Sequence, residues 1–299
     1  MCGIVGIFLK NQALAPSLGR LLQGMLLEMA DRGPDSAGFA VYRRPVPPGS
    51  VKLSLYATTS SVQWQQIGTD AEAAFGVPAL IVHRDRHALL SIGAEAGPLS
   101  AWMASAYPDV SIIGIGSEIE VYKEVGHPAS VAEHFHLAGL DGGHGIGHTR
   151  MATESAVTVR HSHPFAAGLD ICLVHNGSLS NHNDLRRRLA RRGMSFQTDN
   201  DSEVAAAYLA DRLGAGLSLR EALITAGTDL DGFFTFAVGT ADGFAVARDA
   251  IACKPAVLAE TEDWVAMASE YRAIATLPDA DDARVWEPKA GEVYCWSRA

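Results

Sequence analysis

Strand-like apolar runs gather towards both ends of this 299-residue chain, with helical periodicity between them, and that grouping limits what it can fold into. Gly3 to Leu9 and Ser36 to Tyr42 open the chain as strands, and Gly145 to Arg150 and Ile171 to His175 follow as buried strands ending in polar residues. Phe233 to Val238, Gly243 to Ala247, Ala256 to Leu258, Trp264 to Ala268 and Glu292 to Trp296 close it. Helical spacing marks Ser17 to Asp31, where Leu18, Leu21, Leu22, Met25, Leu26 and Met29 share a face, and also Asn181 to Arg192, Asp201 to Leu213 and Ser218 to Ala226. Strands clustered in this way predict an α+β chain with helices packed on antiparallel sheets, not a parallel doubly wound sheet.

One stretch interrupts the pattern. Arg43 to Ser50 is rich in proline and ends in Gly49-Ser50, a boundary signal. Beyond it, about 52 to 143 alternates short strands (Lys52 to Ala57, Leu80 to Val82, Val110 to Ile115, Ile119 to Val125) with helical stretches near Asp70 to Ala74 and Leu99 to Ala106. Such a length is too long for a structureless loop, so it reads as an inserted α/β lobe within a single domain spanning 1–299.

A net charge of −10 argues against an electrostatic grip on nucleic acid or on an anionic membrane. The arginines at 186–188, 191 and 192 are spaced as the solvated face of a helix. Cys2, Cys172, Cys253 and Cys295 form no CxxC pair, which suits a reducing compartment. No apolar stretch reaches the roughly 18 to 20 residues that cross a bilayer, and no leader precedes Cys2, so a cytoplasmic protein is expected.

Cys2 is the reactive candidate. Removal of Met1 would leave a thiol and a free α-amine on one residue, and an amine of pKa about 7.7–8.0 can take the thiol proton. Four polar clusters at strand ends or loops could complete a site. Gly147 to Thr153 sets Arg150 among hydroxyls, a fork suited to a carboxylate. His175-Asn176-Gly177-Ser178 offers a side-chain amide and a neighbouring backbone N–H to a developing oxyanion. In Thr198 to Glu203 one acid is expected to cap the following helix and another to hold an ammonium group. Arg32-Gly33-Pro34-Asp35-Ser36 is a polar turn able to close over the first strand. His144, His148, His161, His163 and His175 lack any HExxH or CxxC framework, so no metal is assigned, and His148 and His175, which end apolar strands, are expected as hydrogen-bonded wall residues.

Together these motifs resemble the class II glutamine amidotransferases, the Cys-type N-terminal nucleophile hydrolases. The resemblance is carried by Cys2-Gly3-Ile4-Val5-Gly6, the Arg32 turn, Gly147-His148-Thr149-Arg150, His163-Pro164, His175-Asn176-Gly177 and Asp201-Ser202-Glu203. It implies a four-layer αββα sandwich with Cys2 as nucleophile and an oxyanion hole at Asn176 and Gly177. It further implies that Arg150 binds the glutamine α-carboxylate and Asp201 its α-ammonium, with His148, Thr149 and Thr153 lining the substrate site. Sugar-forming members usually carry Trp and His-Gly where this chain has Met151, Glu154 and Ser155. Those differences, the insert and Ile251 to Ala256 look closer to the stand-alone amidotransferase subunit of glutamate-synthase-like complexes, particularly N-methylglutamate synthase. No phosphate loop, flavin motif or iron–sulfur cysteine cluster follows, so no cofactor is expected. The expected activity is hydrolysis of glutamine through a γ-glutamyl thioester, with ammonia or the glutamyl group passed to separate synthase subunits. The alternatives are a non-catalytic glutamine-sensing or assembly subunit and an N-terminal nucleophile hydrolase of another amide.

Overall fold

The structure is a computed structural model and describes residues 2–152 and 157–298. It opens with β1 (Gly3–Leu9), α1 (Leu18–Glu28) and β2 (Ser36–Tyr42). Next come β3 (Val51–Ala57), α2 (Trp64–Phe75), β4 (Ala79–Arg84), β5 (His87–Ile92), α3 (Ala96–Ala106) and β6 (Val110–Gly116). The middle carries β7 (Ile119–Val125), α4 (Pro128–His134), β8 (His144–Arg150), β9 (Phe165–Ala166) and β10 (Cys172–Leu179), then α5 (His182–Arg191), α6 (Asp201–Gly214) and α7 (Leu219–Asp229). The chain ends with β11 (Gly232–Thr240), β12 (Gly243–Arg248), β13 (Val257–Glu260), β14 (Trp264–Ala268), α8 (Tyr271–Ile274), β15 (Arg284–Trp286) and β16 (Val293–Ser297).

Among the described residues the strands form three antiparallel sheets. The largest has the order β15-β13-β14-β1-β8-β2-β7, the second β16-β12-β11-β10-β9, and the third β4-β5-β3-β6. Side-chain alternation along each strand sorts the core into layers. On β1, Val5, Ile7 and Leu9 join a cluster with Leu22 and Met25 of α1, Val131 of α4 and Ile274 of α8. Ile4 and Phe8 point the other way, into a cluster with Cys172, Val174, Ala237 and Phe244 of the second sheet. That sheet turns Leu173, Phe236 and Val238 towards Leu185 of α5, Leu209 of α6 and Leu223 of α7. The layer order is therefore helix, sheet, sheet, helix, which is the expected αββα arrangement. Gly6 permits the close sheet contact, because a Cβ there would lie 2.7 Å from the Phe244 ring.

The stretch from 52 to 143 divides. β3 to β6 with α2 and α3 close their own core around Leu53, Trp64, Ile67, Leu90 and Met103. β7, by contrast, pairs with β2 as the edge of the largest sheet, and α4 packs on that same sheet. A buried ion pair, Lys52 Nζ to Glu120 Oε1 at 3.0 Å, and a hydrogen bond from Val121 N to Ser54 Oγ at 2.9 Å fasten the two parts together. Two elements of this stretch, β5 and α4, were not expected, and neither was β15 near the C-terminus. No helix among the described residues is long and apolar enough to cross a membrane.

Candidate functional site

Cys2 sits immediately before β1, where β8 runs alongside with Gly3 opposite Thr149. Its backbone carbonyl accepts two hydrogen bonds, from Arg32 Nε at 3.1 Å and from Asn176 Nδ2 at 3.3 Å. Arg32 extends from the turn after α1 and pairs with Glu270 at 2.5 Å, and Ile4 N donates to Ser269 Oγ at 3.0 Å. The loop after β14 and the turn after α1 thus fix the start of β1 from two sides, as the Arg32 turn was expected to do from one. The half-buried Cys2 thiol lies 4.0 Å from the Met151 carbonyl.

Asn176 and Gly177 lie in β10, in the facing sheet. Gly177 has φ +154°, and a Cβ would fall 2.0 Å from Phe233 O and 2.6 Å from His175 Nε2, so the position takes no side chain. Arg150 ends β8 and is buried, opposite Ser36 of β2, and its carbonyl accepts from Asp35 N at 3.1 Å. Asp35 Oδ2 in turn accepts from Ala152 N at 2.8 Å.

Asp201 is the first residue of α6, and its Oδ2 accepts from Leu179 N at 2.9 Å. The helix cap is Asn200, whose side chain accepts from Ser202 N, so the expectation of an acidic cap is corrected. An anion in the first helical turn still benefits from the helix dipole.

Two of the three flanking residues expected at the substrate, Thr149 and His148, lie among the described residues. The Thr149 hydroxyl is fully buried on the α1 side of the sheet and donates to Met29 O at 2.7 Å. His148 points between the sheets, where Nε2 donates to His175 O at 3.1 Å and its ring stacks on His163 at 4.0 Å. Neighbouring residues of one strand face opposite sides, which separates these two. Burial lowers the His148 pKa to about 3, pushes that of His163 well below its ordinary value and lowers that of His175 against the pull of Asp201, so burial favours the neutral form of all three rings. Thr153, Glu154 and Ser155 lie outside the described residues, as does Met1.

The sequence reading assigned no role to Glu270, Ser269 or Lys123. Ser269 and Glu270 directly follow an apolar strand, the position where a scaffold presents polar groups. Lys123 carries no signal in Ile119 to Val125, because it reads there as one polar residue of an alternating strand. Among the described residues no cluster of His, Cys, Asp or Glu could hold a metal ion.

Residues 148–276 match the family of the glutamine amidotransferase domain. The chain is 52% identical over 297 residues to the glutamine amidotransferase-like protein GlxB of Rhizobium meliloti, covering 99% of this chain and 98% of that protein. This chain belongs to the glutamine amidotransferase family. A putative glutamine amidotransferase of Methanothermobacter thermautotrophicus is 35% identical over 310 residues, covering 98% of this chain and 99% of that protein. In fold, the chain is similar to the glutamine phosphoribosylpyrophosphate amidotransferase of B. subtilis, with a TM-score of 0.61 at 20% identity. That alignment covers 99% of this chain but only 47% of that one, so the chain spans about half its length.

Proposed function

We propose that this chain hydrolyses the side-chain amide of glutamine, with Cys2 as nucleophile once Met1 has been removed. The observation that carries the reading is the approach of Asn176 to Cys2 from the opposite sheet, with Nδ2 3.3 Å from the Cys2 carbonyl and Gly177 beside it. The Cys2 thiol passes its proton to its own amine, and Sγ bonds to the amide carbon. Asn176 Nδ2 and the Gly177 N–H stabilise the resulting oxyanion, as electrostatic preorganisation requires. The amine returns the proton to the leaving nitrogen, ammonia departs, and water then attacks the γ-glutamyl thioester to release glutamate and the thiol. Arg150 holds the α-carboxylate and Asp201 the α-ammonium.

We further propose that ammonia, or the glutamyl group, passes to separate synthase subunits in a hetero-oligomer, N-methylglutamate synthase being the candidate assembly. Ammonia freed into water is protonated and ceases to be a nucleophile, which favours delivery to a docked acceptor. The test is release of glutamate and ammonia from glutamine by the purified chain, alone and with proteins that co-purify with it, together with its intact mass. Turnover by protein lacking Met1, abolished in Cys2→Ala, is the expected result. Full turnover by protein that retains Met1 would refute the mechanism, because an amide nitrogen is no base.

A further inference from the structure

Behind Asp201 lies a hydrogen-bond junction that the proposed chemistry does not use. Ser202 Oγ, 1% exposed, lies 2.9 Å from His163 Nε2, 2.9 Å from His175 Nδ1 and 3.3 Å from Asp201 Oδ1. A hydroxyl has one proton to give and two lone pairs to receive with. The carboxylate is the charged acceptor among the three neighbours, so it draws that proton, and the two neutral imidazoles donate into the oxygen. In that arrangement His163 Nδ1 and His175 Nε2, buried and without a partner in good geometry, carry lone pairs, and the surroundings of the His175 ring are completed by the Phe233 carbonyl and by Asp201 Oδ1, 3.8 Å from its Nδ1.

The junction is anchored from the far edge of the largest sheet. Lys123 of β7, 3% exposed, donates to the carbonyls on either side of His163, Ser162 O at 2.9 Å and Pro164 O at 3.1 Å. Gly38 of β2 leaves the room this needs, since a Cβ there would lie 2.3 Å from His163 O. On the other side, Leu179 N holds Asp201 Oδ2. Both carboxylate oxygens are therefore directed, one by the backbone of β10 and one by Ser202.

We propose that Ser202 is a positioning residue for amino-acid recognition: it gathers the His163 and His175 donors and, by its own hydroxyl proton, fixes the Asp201 carboxylate to receive the α-ammonium group of the substrate. The inference rests on the reading that Asp201 holds that ammonium. It assigns to the Ser202 junction the discrimination between an α-amino acid and the same acid without the amine.

Glutamate and glutarate test this without turnover, since glutarate is glutamate lacking the ammonium. Their dissociation constants are measured by calorimetry on the full chain and compared as a ratio. Asp201→Asn is expected to collapse the preference for glutamate. Ser202→Ala is expected to reduce it about five- to tenfold, the loss of one modest hydrogen bond, with glutarate binding unchanged. Ser202→Thr, which keeps the hydroxyl, restores the preference. If thermal melting shows Ser202→Ala unfolded, His163→Phe and His163→Gln replace it: the first, which removes the donor, lowers the ratio, and the second, which keeps an N–H, retains it. A preference that collapses in Asp201→Asn but survives Ser202→Ala overturns the positioning role alone. Equal weakening of both ligands by Ser202→Ala also overturns it, because that is the signature of a general structural loss. A preference that survives Asp201→Asn, or no glutamate binding by the native chain, overturns the substrate reading beneath it.

Discussion

Lys123 links the stability of this chain to pH between its folded and its unfolded pKa. Its ammonium is fully enclosed, and burial pulls its pKa from 10.5 to about 8. Between those values the unfolded chain holds a proton that the folded chain has released, so folding is favoured increasingly as pH rises. From about pH 7 to about pH 9.5 this single site adds about 2 kcal/mol to the stability of the native chain. The neutral amine still has two N–H groups for the Ser162 and Pro164 carbonyls, and the charged form directs its excess proton towards the Phe165 ring, 4.7 Å from Nζ. Urea unfolding of the native chain and of Lys123→Met at several pH values gives the assay. The variant is less stable throughout, because it leaves two buried carbonyls unpaired, but the gap should widen by about 2 kcal/mol across the window. Groups that do not interact with Lys123 cancel in the difference, and Cys172, which does, is held protonated in the folded chain by burial that raises its pKa to about 12. A gap that stays constant within about 0.5 kcal/mol would show that Lys123 titrates normally and would remove the case for an enclosed ammonium.

Two further substitutions probe the site directly. Gly177→Ala must place a methyl 2.0 Å from Phe233 O, so it should cost about 3 kcal/mol or more in urea unfolding and eliminate glutamine turnover; a loss below about 1 kcal/mol would mean the strand shifts freely and the oxyanion geometry is not fixed there. Arg150→Lys keeps the charge but not the planar fork, and should raise KM for glutamine roughly tenfold or more with kcat little changed; an unaltered KM would take Arg150 out of the substrate site.

Much of this architecture was legible because long elements carry their own period. The helix over Leu18–Glu28 announced itself through one apolar face, and β1, β8 and β10 through apolar runs ending in polar residues. What escaped had weak local signals. β4 and β5 turn back at Asp85-Arg86, with Asp85 at φ +48° and its carbonyl taken by Trp64 Nε1 at 2.8 Å. A left-handed Asp without a following Gly does not read as a hairpin, so β5 was missed. α4 spans seven residues with Pro128 at its start, and β15 only three, both too short for periodicity to speak.

The site itself followed a different logic, since the motifs name residues but not the directions in which side chains point. Gly147-His148-Thr149-Arg150 reads as one cluster in the sequence, yet its members lie on a strand, and alternation alone sends Thr149 to Met29 and His148 to His175. Applying that rule to the sequence leaves His148 and Arg150 on the face towards the second sheet and removes Thr149 from it. The same rule explains the Ser202 junction. His163 reaches Ser202 from the segment before β9, and His175 reaches it from β10, while α6 delivers the hydroxyl itself. Those three segments lie up to 39 residues apart in the chain. No spacing in the sequence pairs them, so a serine that reads as an ordinary first-turn helix residue becomes visible as an organising group only after the second sheet and its helices have packed.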